Sequence, residues 1–198
     1  MKRLGILLSG RGSNFEAIAR NIQDAKLDAE IAIVISNVAT AKGLDTARSL
    51  GLKAVCIPSK GVEREAYDAL VVEELRRHQV DLVVLAGFLR LLSPVMVRAF
   101  PQRIVNIHPS LLPAFPGLHA QRQALEHGVK IAGCTVHLVD EGLDSGPILM
   151  QAAVPVLPGD TEETLSARIL VEEHRIYSLA IAQVLAGDVS VHGGKTSL

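Results

Sequence analysis

Arg3-Leu4-Gly5-Ile6-Leu7-Leu8-Ser9-Gly10-Arg11-Gly12-Ser13-Asn14 decides how the rest of the chain is read. A short apolar run, Arg3 to Ser9, breaks at Gly10-Arg11-Gly12. It passes into a segment with helical spacing, Asn14 to Ile22, whose Phe15, Ile18, Ala19 and Ile22 fall on one face. That is a strand, a glycine turn and a helix, and the unit then repeats. Ala32 to Ile35 reads as a second strand, Ala41 to Leu50 as a helix stopped by Gly51, and Ala54 to Ile57 as a third strand closed by Pro58. Arg64 to Arg77 follows as a helix and Asp81 to Ala86 as a fourth strand. Strands this apolar are buried on both faces, the mark of a parallel sheet covered by helices. The expected class is α/β: an open, mostly parallel twisted sheet, Rossmann-like, with helices on both faces. Ligands of such sheets bind at the carboxyl ends of the strands.

The second half changes character. Strands are expected at Arg103 to His108, Ile131 to Val139 and Leu149 to Val156, with one helix, about Ala120 to His127, after a Pro/Gly-rich loop. Thr161 to Leu185 reads as a long amphipathic helix with Thr161 as its N-cap and acidic residues in its first turn. From Gly187 on, glycine and polar residues suggest a loose tail. No repeat, low-complexity block or linker interrupts the chain. We expect a single domain, 1–198, whose first half binds phosphate and whose second half carries the chemistry.

Composition excludes several classes. The chain has 198 residues, 20 Lys+Arg against 21 Asp+Glu, and 3% aromatics without Trp. A formal charge of −1 argues against wrapping nucleic acid, and few aromatics leave few platforms for stacking bases. No apolar run approaches the ~20 residues of a membrane span. Met1-Lys2-Arg3 before Leu4 to Leu8 has a core too short for a signal peptide. Cys56 and Cys134 sit in apolar runs and read as buried thiols of a reducing cytoplasm.

Ser9 to Asn14 joins a strand to a helix, where backbone N–H groups and the helix dipole can hold a phosphate; the alternative is a plain capped turn. It is not a dinucleotide fingerprint, because Phe15 stands where the third glycine belongs. Gly194-Lys195-Thr196 is not a Walker loop either, since the motif's first glycine would fall on Val189. A single phosphate on a small molecule fits better than nucleotide hydrolysis or hydride transfer.

Asn106-Ile107-His108-Pro109-Ser110-Leu111-Leu112-Pro113 carries the most chemistry. Asn106 and His108, two apart on a strand, face the same way, and Pro109 ends the strand just after them. The pair fits a site, or a capped core histidine beside a structural Asn. Asp140, Glu141 and Asp144 form an acidic loop at another strand end, before Ser145-Gly146-Pro147. A carboxylate near His108 would favour its charged form and fix its orientation, and Asp144 is the candidate. His108, His119 and His137 lack metal-ligand spacing, no Gly-x-Ser-x-Gly elbow occurs, and Cys134 lies in an apolar strand. Neither a metal nor a covalent nucleophile is expected.

Gly12-Ser13-Asn14, Leu85-Ala86-Gly87-Phe88-Leu89-Arg90, the Asn106 to Pro113 segment and the Asp140 to Pro147 loop together resemble the phosphoribosylglycinamide formyltransferases, from the first strand to about Leu185. Asn-x-His-Pro-Ser is shared with other formyl-folate enzymes, including methionyl-tRNA formyltransferase and formyltetrahydrofolate hydrolase; the glycine loop and the length narrow the choice. The resemblance implies formyl transfer from 10-formyltetrahydrofolate to the amine of glycinamide ribonucleotide, a step of purine synthesis, without metal or ATP. It implies ribonucleotide contacts at Gly12, Ser13, Asn14 and Leu170, Val171, Glu172 and Glu173. It implies folate contacts at Arg64, at Phe88, Leu89, Arg90, Leu91 and Leu92, at Asn106, and at Asp140, Glu141, Gly142, Leu143 and Asp144. Catalysis would fall to Asn106, His108 and Asp144. Asn106 and a charged His108 would donate to the oxyanion, with Asp144 assisting proton transfer. The rivals are a hydrolase, in which water replaces the amine, and a non-catalytic folate or phosphate-binding module. The expected partners are small molecules only, with no nucleic acid and no membrane, for a cytoplasmic monomer or homodimer.

Overall fold

A computed structural model describes residues 1–197. In chain order the elements are β1 (Lys2–Leu8), α1 (Ser13–Gln23), β2 (Ala29–Ser36), α2 (Lys42–Ser49), β3 (Ala54–Cys56), α3 (Arg64–Arg77), β4 (Leu82–Leu85), α4 (Pro94–Ala99), β5 (Ile104–His108), α5 (Ala120–Glu126), β6 (Ile131–Leu138), β7 (Ile148–Pro155), α6 (Glu162–Ala186), β8 (Ser190–His192) and β9 (Lys195–Ser197). Hydrogen bonding orders seven of the strands β3-β2-β1-β4-β5-β6-β7 in one open sheet. The chain divides into two compact units, Met1–Val105 and Asn106–Leu198.

In the first unit, β1 pairs in parallel with β2 and β4, and β2 with β3. Leu4, Ile6, Leu7 and Leu8 of β1 and Leu82 to Leu85 of β4 are all buried. Consecutive strand residues point to opposite faces, so this run of burial requires cover on both. Phe15, Ile18 and Ala19 fill the inner face of α1, as their spacing predicts; Ile22 is only half-buried. Helix α3 starts where Glu63 accepts hydrogen bonds from the Glu65 and Ala66 amides at 2.8 and 3.0 Å. Those bonds, more than any charge partner, hold the Glu63 carboxyl below its ordinary range. The strand order reverses between β1 and β4. That is the topological switch point of an open α/β sheet, and the two strands' carboxyl ends carry the Ser9–Asn14 loop and the Ala86–Leu92 segment.

In the second unit, β6 and β7 form an antiparallel pair against which α6 packs. Thr161 and Thr164 close a reciprocal capping box at the start of α6, and Gly187 ends it. The tail is not loose. β8 and β9 pair as a hairpin across Gly193-Gly194, both at positive φ, which is what a two-residue hairpin turn demands. Thr196 Oγ1 donates to the Ile148 carbonyl and ties the hairpin to β7. Helix α4 is a further element that the sequence reading lacks. Its six residues are too few to show a period, although Pro94 at its first turn is a start signal.

Among the described residues no helix is long and apolar enough to cross a membrane. Both cysteines are free; Cys134 is buried, but Cys56, expected inside, is only half-buried at the end of β3. Burial raises the Cys134 thiol to about 12, so it is no thiolate near neutral pH.

Candidate active site

Four side chains of the second unit converge: Asn106 and His108 from the end of β5, His137 from β6, and Asp144 from the loop after β6. The strand alternation that puts Asn106 and His108 on one face is realised, since both side chains reach this cluster. The His108 Nδ1 lies 3.4 Å from Asp144 Oδ2, and His137 Nε2 lies 3.8 Å from Asp144 Oδ1. Asn106 Nδ2 stands 3.2 Å from His137 Nε2.

Backbone partners decide where the ring hydrogens sit. The Phe115 carbonyl is 2.8 Å from His108 Nε2. A carbonyl only accepts, so Nε2 carries a hydrogen. Nδ1 faces the Asp144 carboxylate, so both ring nitrogens of His108 are directed at oxygen acceptors. Both of its ring nitrogens therefore have partners, and neither offers a free N–H to a ligand in this arrangement. This differs from the direct donation expected of it. His137 is the opposite case. The Leu138 carbonyl, 2.9 Å from Nδ1, fixes the hydrogen there and leaves Nε2 to accept from the Asn106 amide. Burial, opposed in part by the charge of Asp144, keeps the His137 ring below its ordinary value, so it is neutral near pH 7. One N–H of the Asn106 amide is thereby spent on His137, and the other remains for a ligand.

The neighbouring loops hold this geometry. Gly117 N–H donates to Asp144 Oδ2 at 2.8 Å, and Phe115, whose carbonyl holds His108, packs on the His127 ring at 5.2 Å. Asp144 itself sits at φ 49°, in the left-handed region that Asp tolerates better than most residues. A Cβ on Gly146 would overlap the Leu138 carbonyl oxygen, so only glycine lets the acidic loop close this tightly. Asp140 Oδ1 accepts from Gly142 N at 3.0 Å and from Ser145 Oγ at 2.8 Å, so its carboxylate braces the loop. Glu141 and Leu143 are exposed. Buried Thr135 donates to the Ser110 carbonyl at 2.7 Å and accepts from the Leu112 amide at 3.0 Å, pinning the chain just after His108.

In the first unit, Gly12, at φ 77°, is the N-cap of α1; Ser13 opens the helix and Asn14 is buried in its first turn. These are the backbone positions from which a helix N-terminus meets an anion. Leu89 and Leu91 are exposed, Phe88 is half-buried, and Leu92 is buried, so its side chain belongs to the core. The Arg90 guanidinium lies 4.5 Å over the Tyr67 ring rather than along the surface. Burial pushes the Tyr67 hydroxyl up to about 12. Arg64 is exposed at the first residue of α3.

On α6 the expected stretch is not one surface. Glu173 is 7% exposed and Val171 67%, Leu170 is half-buried, and Glu172 pairs with Arg175 at 2.5 Å. His137 is the residue that sequence reasoning missed as part of the site. The available signal was a histidine at the end of an apolar strand, directly before the acidic loop.

Residues 2–181 match the family described as Formyl transferase. Phosphoribosylglycinamide formyltransferase of Escherichia coli (strain K12) is 45% identical over 188 residues, covering 94% of this chain and 89% of that protein. The trifunctional purine biosynthetic protein adenosine-3 of Drosophila pseudoobscura pseudoobscura is 49% identical over 189 residues; this chain spans only 14% of its length. The crystal structure of glycinamide ribonucleotide transformylase 1 from Symbiobacterium toebii superposes with a TM-score of 0.98 at 52% identity, covering 100% of this chain and 94% of that one.

Proposed function

Because the chain belongs to the formyl transferase family, we propose that it transfers the formyl group of 10-formyltetrahydrofolate to the amine of glycinamide ribonucleotide, in purine synthesis. The amine attacks the formyl carbon and a C–N bond forms. The tetrahedral intermediate collapses, the bond to the folate nitrogen breaks, and one proton moves from the attacking nitrogen to the leaving one. No covalent enzyme intermediate and no ATP is required. The observation that carries this reading is the meeting at one strand end of Asn106, whose amide is oriented by neutral His137, and His108, held between the Phe115 carbonyl and Asp144. In this reading Asn106 and His108 stabilise the developing formyl oxyanion, and one such donor is worth about 10²–10³ in rate. In this reading Asp144 assists the proton transfer, directly or through a water.

In this reading the phosphate lies on Gly12, Ser13 and Asn14, with Leu170 to Glu173 as further ribonucleotide contacts. The folate lies against Arg64, the Phe88–Leu92 segment and the Asp140–Asp144 loop. The same reading places the protein in the cytoplasm, acting on small molecules alone, without a metal and without nucleic-acid or membrane partners. The test is an ATP-free assay with purified protein, 10-formyltetrahydrofolate and glycinamide ribonucleotide. Tetrahydrofolate release that depends on the ribonucleotide is the expected result. Equal release without it would make the protein a hydrolase, and folate binding with no release would make it a binding module.

A further inference from the structure

Ser9 directly follows β1, where the apolar run passes into the glycine loop, and is buried. In the structure it holds three strand ends at once. Its backbone N–H donates to the Gly87 carbonyl at 2.9 Å, and its hydroxyl accepts from the Leu89 N–H at 2.8 Å. The same hydroxyl donates to Asn37 Oδ1 at 2.6 Å, just beyond β2, and the Asn37 amide donates to Ser59 Oγ at 3.1 Å, just beyond β3. One residue further, the Gly10 carbonyl accepts from Gly43 N at 3.0 Å. Ser9 is 8% exposed, whereas Leu89, whose amide it holds, is 73% exposed. A side chain that open on a backbone that firmly fastened is a presented surface, not a slack loop. Ser9 also stands at the switch point between β1 and β4, where the segment from Gly87 to Leu89 meets the strand that feeds the glycine loop.

We propose that Ser9 is a positioning residue for the folate: its hydroxyl sets the Gly87–Leu89 backbone in register against the glycine loop and so shapes the surface that receives the folate ring. This rests on the reading that the Phe88–Leu92 segment contacts the folate. Asn37 aims the hydroxyl by taking its hydrogen, which leaves a lone pair for the Leu89 amide. The glycine loop keeps its own anchor through Gly10 and Gly43, so the effect of losing the hydroxyl falls on one substrate.

The experiment compares Ser9→Ala, Ser9→Thr and Asn37→Ala with the unsubstituted protein. The readouts are steady-state constants for both substrates, tetrahydrofolate binding by calorimetry, and thermal unfolding. Ser9→Ala should raise the folate KM and the tetrahydrofolate Kd about fivefold, the size of one neutral hydrogen bond. The ribonucleotide KM should stay within about twofold. Ser9→Thr, which keeps the hydroxyl, should restore folate binding, and Asn37→Ala should reproduce a smaller form of the defect even if Ser9→Ala folds poorly. Unchanged folate binding in both Ser9→Ala and Asn37→Ala would overturn the proposal and leave the formyltransferase reading standing. So would equal losses for both substrates, which mark a general structural role. If the unsubstituted protein bound no tetrahydrofolate, both readings would fall together.

Discussion

His108 is held at both ring nitrogens, Nε2 by the Phe115 carbonyl and Nδ1 by Asp144, so removing either member of the pair leaves the other without its partner. His108→Ala and Asp144→Asn should each lower kcat at least about tenfold while circular dichroism and the unfolding midpoint show a folded protein. Turnover close to normal in either variant would take that residue out of the reaction. That Asn106 and His108 point together was legible in sequence because strand alternation and a following proline direct two polar groups to one strand end, whereas the closeness of Asp144 to His108 is visible only in the structure. His137 was not legible either, because its meaning lies in a partner 31 positions away. A lone histidine in an apolar strand looks the same whether it braces an amide or merely fills a core. The placement of Arg90 is hidden in the same way, since it depends on Tyr67, which no local pattern connects to it.

Among the elements, the acidic loop and α6 separate geometry from stability. Gly146→Ala must push the loop off the Leu138 carbonyl and displace Asp144 with it. We expect kcat to fall about ten- to a hundredfold, since misplacement near 1 Å can cost that much, against about 1–3 kcal/mol of stability. Thr161→Ala breaks the capping box far along the chain from the site. It should cost about 1 kcal/mol in urea unfolding and leave kcat unchanged. A large kcat loss in the second variant, or none in the first, would reverse this assignment. Helices and buried strands were readable from periodicity and apolar runs; Arg64–Arg77 matches to the residue. Helix α4 and the β8–β9 hairpin were not. Six residues show no period, and Ser, His, Lys and Thr around two glycines resemble a loop until the pairing across the turn is seen.

For the whole molecule, the burial of His137 is a statement about stability and pH. Its folded value lies below the ordinary 6.5, so on acidification the unfolded chain takes up a proton that the native ring refuses. The contribution is fully present above about pH 7 and is lost as pH falls below 6.5, with a slope of at most about 1.4 kcal/mol per pH unit. His137→Gln keeps an acceptor for Asn106 but cannot titrate. Urea unfolding at pH 7.5 and 5.5 should show a larger acid loss for the unsubstituted protein than for this variant, and equal losses would place the proton elsewhere. A wider consequence comes from where the division at Asn106 falls. Asn106, His108, His137 and Asp144 lie in one continuous stretch of the second unit, and Gly12, Ser13 and Asn14 lie in the first. A variant library confined to residues 1–105 therefore samples the glycine loop without altering any of the four clustered side chains.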